Sequence, residues 1–528
     1  MNAYVGCRSV GGVFVPLESS SGTMEYFMMR NSRNATALFV LIAFSLCACS
    51  GPIGGNGGGG GGGNGTTQLV LTMTDAPPAG TSLLASPVSI GSLAMDPVAG
   101  AAVRLVPEGQ VTANIDLVRL QSDSAFVGSY QVPDNDYKDI IATIAMPNFS
   151  YLNQTGAAVV DDAKGDTCNN NSICLNNNNN SFFGGLFTFS TGGGLPASIR
   201  GGTLGASFDL NQSSFITNTP GFLTFDFNQA NALSLVSLPH TGVPSGKFEF
   251  VEDFIGTVTT VSGSTVTIQP SGVSVFGKPL PLVATANSST KFDNFTCAAP
   301  TIACVHSNQT LSVDAAVNGD GTVTLLEVDD LSDTTADELE GVIASIDSTN
   351  QVFVIVVADK LQATTSTDTT FQTSINLGQP VQVILGSSAP FSVDTKGLPV
   401  NASNLATFTA FSSLAVGQNV RIKVSAVGGS TTGTFYLQAT ATSVTLRFTR
   451  LTGKPSSVAS PTFNYDPTSL PPFFGLTGTP QVQTFPGVTL FDGVTDLTGV
   501  TAGDSISIRA LYLPNSAPTF FAAKVRKH

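Results

Sequence analysis

The sequence predicts an all-β fold. The chain beyond its first 66 residues is dominated by Thr, Ser, Val, Gly and Asn, and the whole chain contains 29 prolines. Short runs of alternating apolar residues end at Gly, Asn, Asp or Pro, which is typical of strands joined by tight turns. Segments of the second half also repeat one another, which indicates several small domains of one kind.

The first 48 residues predict an export signal. Arg30 and Arg33 precede a twelve-residue apolar run, residues 35–46. That run is too short for a membrane-spanning helix, which needs about 20 residues. Residues 1–27 lie upstream of these features, which suggests a start assigned too early. The true start would then be one of the later methionines, Met24, Met28 or Met29.

The residues Leu46-Cys47-Ala48-Cys49 resemble the cleavage motif of bacterial lipoproteins. The resemblance implies that Cys49 becomes the lipidated first residue, whose acyl chains anchor the protein to the membrane. The alternatives are an ordinary secretory signal or a chance apolar patch. Ser50 stands where an inner-membrane retention signal would have Asp, so an outer-membrane location is expected. Residues 49–66, with an unbroken glycine run at 57–63, form a flexible tether.

Composition limits the function of the remaining chain. About 460 residues follow the tether, enough for three or four domains. The net charge is −14, only 11% of residues are charged, and no basic cluster is present that could neutralise a row of phosphates. Nucleic acid is therefore not expected as a partner.

A repeat organises the second half. Residues 256–262 and 341–347 share apolar positions, and each segment turns into a second strand, at 265–269 and 351–357. Next comes a Thr-x-Phe element, and then a glycine turn leads into a strand and a closing strand. The Thr-x-Phe elements are Thr290/Phe292, Thr369/Phe371 and Thr489/Phe491; the glycine turns are at 414–422 and 500–508; and the closing strands are at 322–328, 434–439 and 519–525.

This order predicts three small β-barrels at residues 252–332, 338–446 and 447–528. The pattern resembles the bacterial domain of unknown function 5666, which implies OB-like barrels. Insertions are expected after the Thr-x-Phe element, at 293–310 and 374–410. Such variable loops on a repeated scaffold are where binding function is usually carried.

Residues 67–248 are predicted to form a separate N-terminal domain. Alternating apolar residues occur near its start, at Leu69, Leu71 and Met73, and near its end, at 223–227. Together with the segment 115–120, this order resembles the domain of unknown function 4382, which implies a β-sandwich-like fold. A long Asn- and Gly-rich interruption, 161–194, departs from that pattern.

The cysteines are consistent with an oxidising compartment. Four lie beyond the tether as two close pairs, Cys168/Cys174 and Cys297/Cys304. Two local disulfides are the expected arrangement, since neither the spacing nor the three histidines of the chain suits zinc. Reduced or metal-bound cysteines are the alternative.

Three further segments are candidate binding sites. Asn318, Asp320 and Glu327 match the later positions of a calcium-binding loop, but Ala316 holds its first position, so a hairpin turn is favoured. Residues 161–166 carry three aspartates that could gather around a cation, but a solvated surface loop is favoured. The aromatic segment 182–189 is expected to be a strand that packs inward; the alternative is an exposed partner or membrane contact.

No catalytic signature is present in the sequence. It has no Gly-x-Ser-x-Gly motif, no phosphate-binding glycine loop and no recognisable pair of strand-end carboxylates. We therefore expect a non-enzymatic protein without cofactor or metal: a lipid-anchored binding or adhesion module for a glycan, a peptide or an envelope protein. The alternative is a structural or assembly component of the envelope. The absence of tryptophan weighs against a strong sugar-stacking surface.

Overall fold

The computed structural model describes residues 65–528 with internal gaps. The gaps are residues 76–79, 81–82, 107–109, 112–114, 146–147, 153–158, 161–166, 169–172, 178–185, 191–196, 201, 211–215, 220–221, 226–232, 238–247, 271–277, 333–335, 364–365, 429–436 and 477. The fold is all-β, as predicted. The two α-helices of the described residues, α1 (Thr369–Ser374) and α2 (Ala402–Leu405), are only one turn or so long, and no helix in this part of the chain has the length and apolar character needed to cross a bilayer.

The N-terminal body consists of several small sheets. Its strands are β1 (Thr66–Asp75), β2 (Leu83–Ala85), β3 (Pro87–Pro97), β4 (Val103–Arg104), β5 (Gln110–Val111), β6 (Ile115–Asp116), β7 (Ala125–Pro133), β8 (Asn135–Ala145), β9 (Asn148–Leu152), β10 (Val159–Val160), β11 (Thr167–Cys168), β12 (Ile173–Asn177), β13 (Leu186–Ser190), β14 (Ala197–Ile199), β15 (Thr203–Leu210), β16 (Ile216–Thr219), β17 (Phe222–Phe225) and β18 (Leu233–Ser237). A 3₁₀ turn, Arg119–Gln121, precedes β7.

Two of these sheets enclose the main core of the body. One has the order β18-β15-β1-β7, with β1 and β15 parallel, and the other is built on β13-β8-β3-β4. The predicted apolar face of β1 is confirmed, because Leu69, Leu71 and Met73 are almost fully buried among side chains of β3 and β8. Strand β17, from the predicted segment 223–227, pairs with β16; its side chains lie outside the described residues.

The first barrel follows. Its strands are β19 (Phe248–Ser262), β20 (Thr265–Pro270), β21 (Lys278–Pro279), β22 (Leu282–Thr285), β23 (Lys291–Asp293), β24 (Thr310–Asn318) and β25 (Val323–Asp330), with a 3₁₀ turn at Ile302–Cys304. Five of them close a ring in the order β19-β20-β22-β25-β24. Alternate residues such as Val258, Ile268, Leu311 and Val313 fill the interior.

The second barrel has the same ring. Its strands are β26 (Asp337–Asp347), β27 (Val352–Leu361), β28 (Pro380–Leu385), β29 (Phe391–Val393), β30 (Asn419–Gly428) and β31 (Leu437–Arg447), with a 3₁₀ turn at Phe411–Ser413. The ring order is β26-β27-β28-β31-β30.

The third barrel splits its opening strand in two. Its strands are β32 (Thr449–Gly453), β33 (Pro455–Ala459), β34 (Thr462–Tyr465), β35 (Gln481–Gln483), β36 (Leu490–Asp492), β37 (Ile506–Tyr512) and β38 (Phe520–Lys527), with 3₁₀ turns at Pro467–Ser469, Pro472–Phe474 and Leu497–Gly499. β32 pairs with β37 and β33 with β34, and only Lys454 separates the two halves. Each barrel therefore has the strand order 1-2-3-5-4-1, with the third and fifth strands parallel, as in an OB-type Greek-key barrel.

The Thr-x-Phe element has one structural role in the first and third barrels. The hydroxyls of Thr290 and Thr489 donate to the carbonyls of Leu325 and Ala522 on the last strand. This fixes the short strands β23 and β36 beside β25 and β38.

The prediction for the second barrel was wrong at this point. Thr369 and Phe371 lie on α1, before the third strand, and the short strand equivalent to β23 is β29. The range 374–410 is accordingly not an insertion, since it contains β28 and β29. Phe371 is 1% exposed. It is therefore a core residue of the second barrel whose sequence context matches Thr-x-Phe, although it does not lie on the equivalent strand.

The two predicted glycine turns precede β30 and β37. Gly417 and Gly503 both have positive φ, 92° and 86°, which favours glycine. They differ in surroundings: a Cβ on Gly417 would lie 2.5 Å from the ring of Phe474 in the third barrel, whereas a Cβ on Gly503 would meet nothing within 4 Å.

Candidate functional site

A cluster of buried charged side chains lies where the N-terminal body and the three barrels meet. Charged residues are rarely buried unless they are paired, and this chain has few of them. We call this set the junction cluster. Its members are Arg119, Asp123, Glu249, Glu252, Asp253, Asp314, Glu327, Asp329, Glu338, Glu340, Asp359, Lys396, Arg421, Arg447, Arg450, Asp492, Arg509, Lys524 and Arg526.

Two β-bulges direct the carboxylates of the first barrel into the cluster. On β19, Glu252 and Asp253 together oppose Asp314 of β24, and Asp253 has a φ of 51°. On β25, Leu326 is the extra residue, so Glu327 lies opposite Asp314. Bulges commonly re-aim side chains in this way. The backbone N–H of Asp253 donates to Asp314 Oδ1 at 2.8 Å, which holds the two acidic segments together.

The third barrel presents basic residues at the equivalent positions. Arg450 of β32, Arg509 of β37 and Lys524 of β38 are opposite one another in the strand register. Directly opposed residues share one face of a sheet, so the three cations form a row. The second barrel is mixed here, with Glu338 on β26 opposite Lys423 on β30.

Ion pairs join the first barrel to the third. Arg509 Nη1 lies 2.8 Å from Glu252 Oε2, and Arg450 Nη2 lies 3.2 Å from Asp253 Oδ2. Arg450 also pairs with Asp123 of the N-terminal body. These side chains are at most 6% exposed, so removing one partner would leave a buried charge without compensation.

Arg526 connects three domains by itself. From β38 it donates to Asp492 Oδ2 at 2.6 Å and to Glu249 Oε2 of the first barrel at 2.9 Å. It also donates to the carbonyl oxygens of Leu120 and Asp123 in the N-terminal body, at 3.3 and 3.1 Å. Burial alone would lower the pKa of Arg526, but these carboxylates outweigh it and raise the pKa, so the guanidinium remains charged.

Glu340 is the acidic centre of the second barrel. Its carboxylate lies 2.8 Å from Arg421 and 3.5 Å from Arg447, and Arg119 of the N-terminal body donates to it at 3.0 Å. Burial acts to raise the pKa of Glu340, but the three guanidiniums hold it below its usual range. Asp359, on the next strand, receives less compensation, and burial raises its pKa to about 6.

One lysine of the second barrel enters the acidic part of the first. Lys396 follows β29 in a turn with φ of 42°, and its Nζ lies 3.4–3.6 Å from four carboxylates. They belong to Asp253, Asp314, Glu327 and Asp329. Burial, reinforced by Asp314 and Asp329 and opposed by Lys396, raises the pKa of Glu327 to about 7.

An acidic group borders this lysine. Asp293, Glu327 and Asp329 each place one carboxylate oxygen within 4.8 Å of the others. Asp293 ends β23 and begins the loop 294–309, which contains the Cys297–Cys304 disulfide. Val305 is buried in the barrel core, and Phe295 packs against it, so the loop is held on the barrel.

The candidate residues from the sequence have different outcomes. The Cys297–Cys304 disulfide is present. Asn318 and Asp320 form the favoured hairpin turn, in which Asp320 accepts from Thr322; Glu327 lies farther along β25. Cys49, the loop 161–166 and the side chains of Cys168, Cys174 and the segment 182–189 lie outside the described residues.

A Ser–His contact occurs at the end of the chain. His528 Nε2 lies 2.6 Å from Ser507 Oγ. Ser507 is fully buried, and its Oγ also lies 2.6 Å from Thr452 Oγ1. The contact therefore joins neighbouring strands and does not expose a nucleophile to a substrate.

Sequence reasoning missed the junction cluster. The signal was present, because charged residues stand inside otherwise apolar strands at equivalent positions of the repeats: Asp314, Lys423 and Arg509 each lie on the fourth strand of their ring. Charges inside strands of a chain with 11% charged residues indicate buried pairing. The individual ion pairs could not be predicted, because they form between domains and depend on how the domains pack.

Comparison with known proteins adds no assignment. No family model matches the chain, and no curated protein matches it significantly.

Proposed function

We propose that this protein is a lipid-anchored cell-envelope protein that acts as a non-catalytic binding or adhesion module, with its lipid on Cys49 in the outer membrane. The motif 46–49 and the glycine tether that follows support the anchor. The OB-type strand order of the barrels supports the proposed relation to the domain of unknown function 5666, while the relation of the N-terminal body to the domain of unknown function 4382 still depends on the sequence resemblance.

The observation that carries the binding proposal is the loop 294–309 of the first barrel. It is closed by the Cys297–Cys304 disulfide and attached to the core through Val305, yet most of its residues are exposed. A pre-ordered, exposed loop loses little conformational entropy when it binds a partner. The junction cluster supports the same function, because fixed barrels present such a loop in a constant orientation.

The anchor is tested by detergent partitioning. In the host bacterium, the wild-type protein is expected in the detergent phase of a Triton X-114 extract, and Cys49→Ala in the aqueous phase. Cys47→Ala is the matched control and should partition as the wild type. Equal partitioning of wild type and Cys49→Ala would refute lipidation at this residue.

The binding function is tested on the full lipoprotein in detergent micelles. Glycan and envelope-peptide arrays are probed with the wild type, with a variant whose residues 298–303 are replaced by a Gly/Ser segment of equal length, and with a control that carries Gly/Ser at 348–350, an exposed turn of the second barrel. We expect a signal that only the first replacement abolishes. A signal that survives this replacement would exclude the loop. Empty arrays combined with a leaky envelope on gene deletion would favour the structural alternative.

A further inference from the structure

We propose that Asp293, Glu327 and Asp329 bind a hard divalent cation, with the ligand preferences of Ca²⁺, at the base of the disulfide loop, and that the hydroxyl of Ser312 contributes a further oxygen. The sequence predicted no metal site here. The cation would bind whether or not the loop has a ligand, so this inference is independent of the proposed function.

The spacing of the carboxylates fits one ion. Their nearest oxygens lie within 4.8 Å of one another. Two oxygens that each lie 2.3–2.6 Å from a calcium ion can be separated by up to about 5 Å. An all-oxygen ligand set also favours Ca²⁺ or Mg²⁺ over transition metals.

Strand register places the residues on one face. Asp293 of β23 is in register with Asp329 of β25, and Asp329 is in register with Ser312 of β24. The intervening Val313 and Val328 fill the barrel interior, so Ser312 and Asp329 point to the outer face. Glu327 lies two residues from Asp329 and faces the same way.

Ser312 is an independent indication of a ligand. The residue is 3% exposed, and its Oγ has no hydrogen-bond partner among the described residues. A buried hydroxyl without a partner is costly, and such groups are uncommon in folded proteins. Its position opposite Asp329 would allow a cation to use this oxygen.

The charge around the group also favours a second cation. Lys396 is shared by four carboxylates, and the cationic partners of Asp253 and Asp314 in the third barrel do not extend to Glu327 or Asp329. Lys396 and, at longer range, Arg447 therefore offset only part of the negative charge of this edge. Asp293 is exposed, which opens the group to solvent and to the water ligands that Ca²⁺ usually retains.

The proposal is tested by calorimetric titration of the full chain with CaCl₂, and separately with MgCl₂, at constant ionic strength. We expect one Ca²⁺ per chain with a Kd of about 10⁻⁴–10⁻³ M, the range of extracellular modules. Asp293→Asn should weaken binding at least tenfold and Ser312→Ala should weaken it severalfold. Asp320→Asn, which changes an exposed aspartate of the same barrel, is the matched control and should bind as the wild type.

Lys396→Met gives a second readout. Removal of the ammonium should tighten Ca²⁺ binding, because the ion no longer competes with a fixed positive charge; circular dichroism identifies a variant that fails to fold. Mg²⁺ binding with the same variant pattern would support the site. No binding by the wild type, equal binding by wild type and Asp293→Asn, or a loss confined to Asp320→Asn would overturn the proposal.

Discussion

Removal of the Arg526 side chain tests whether the junction cluster holds the domains together. Arg526→Met keeps an apolar stem of similar length but leaves Glu249 and Asp492, both buried, without their guanidinium. The carbonyl oxygens of Leu120 and Asp123 lose the same donor. Removing one partner of a buried ion pair lowers the free energy of unfolding by roughly 3–5 kcal/mol. For a unit with an m-value of about 2 kcal/mol/M, this corresponds to a shift of about 2 M urea.

The assay is urea unfolding followed by far-UV circular dichroism, since the chain has no tryptophan. Addition of Glu249→Gln should recover part of the loss, because the double variant buries one charge fewer. The control is Arg200→Met, which breaks an ion pair with Asp136 in which both side chains are about half exposed; it should cost less than about 1 kcal/mol. An Arg526→Met midpoint equal to that of the control, or strictly additive losses, would refute the reasoning.

Three further predictions concern a buried carboxylate, the disulfide and a glycine turn. Between pH 4 and 6 the folded protein retains the Asp359 proton that the unfolded chain releases, because burial raises its pKa to about 6; stability from this group therefore falls as pH rises. Asp359→Asn should remove about 1–2 kcal/mol of that pH dependence, allowing for the partial exposure of the side chain, and thermal melts across this range measure it. Cys297→Ser with Cys304→Ser opens an eight-residue loop and should cost about 2–3 kcal/mol by the loop-entropy relation; faster proteolysis within 294–309 is the readout, and unchanged cleavage would contradict the prediction. Gly417→Ala should lower the free energy of unfolding by several kcal/mol, because positive φ and the neighbouring Phe474 ring both oppose a Cβ. Gly503→Ala should cost only about 1 kcal/mol, because positive φ alone opposes its Cβ. Equal melting temperatures of the two variants would refute this difference.

The fold was predictable where a short local sequence pattern was sufficient. Leu69, Leu71 and Met73 alternate because one face of β1 fills the core of the N-terminal body, whereas the opposite face, which is also buried, carries Thr72 and Thr74. The glycine turns at 417 and 503 repeat because positive φ favours glycine. Phe371 shows the limit of this reasoning. A threonine two residues before a phenylalanine occurs on α1, where Phe371 is buried, and also at β36, where Phe491 is partly buried. A pattern of three residues does not distinguish a helix from a strand.

The candidate site was less predictable for a physical reason. Glu327 and Lys396 are 69 positions apart and belong to different barrels, so their contact exists only after the barrels pack. Bulges contributed a second difficulty. Leu326 shifts the phase of β25, so simple alternation assigns Glu327 to the wrong face.

The division of charge among the barrels specifies their arrangement. Because all three barrels share one strand order, apolar contacts alone would distinguish poorly between alternative packings. At equivalent ring positions the first barrel has Asp314, the second Lys423 and the third Arg509. An arrangement that buried Lys423 against Arg509 would bring two like charges together, which costs far more than an ion pair returns. The acidic bulges of the first barrel and the basic row of the third therefore compensate each other in the observed arrangement of the barrels. Arg119 and Asp123 of the N-terminal body complete the cluster.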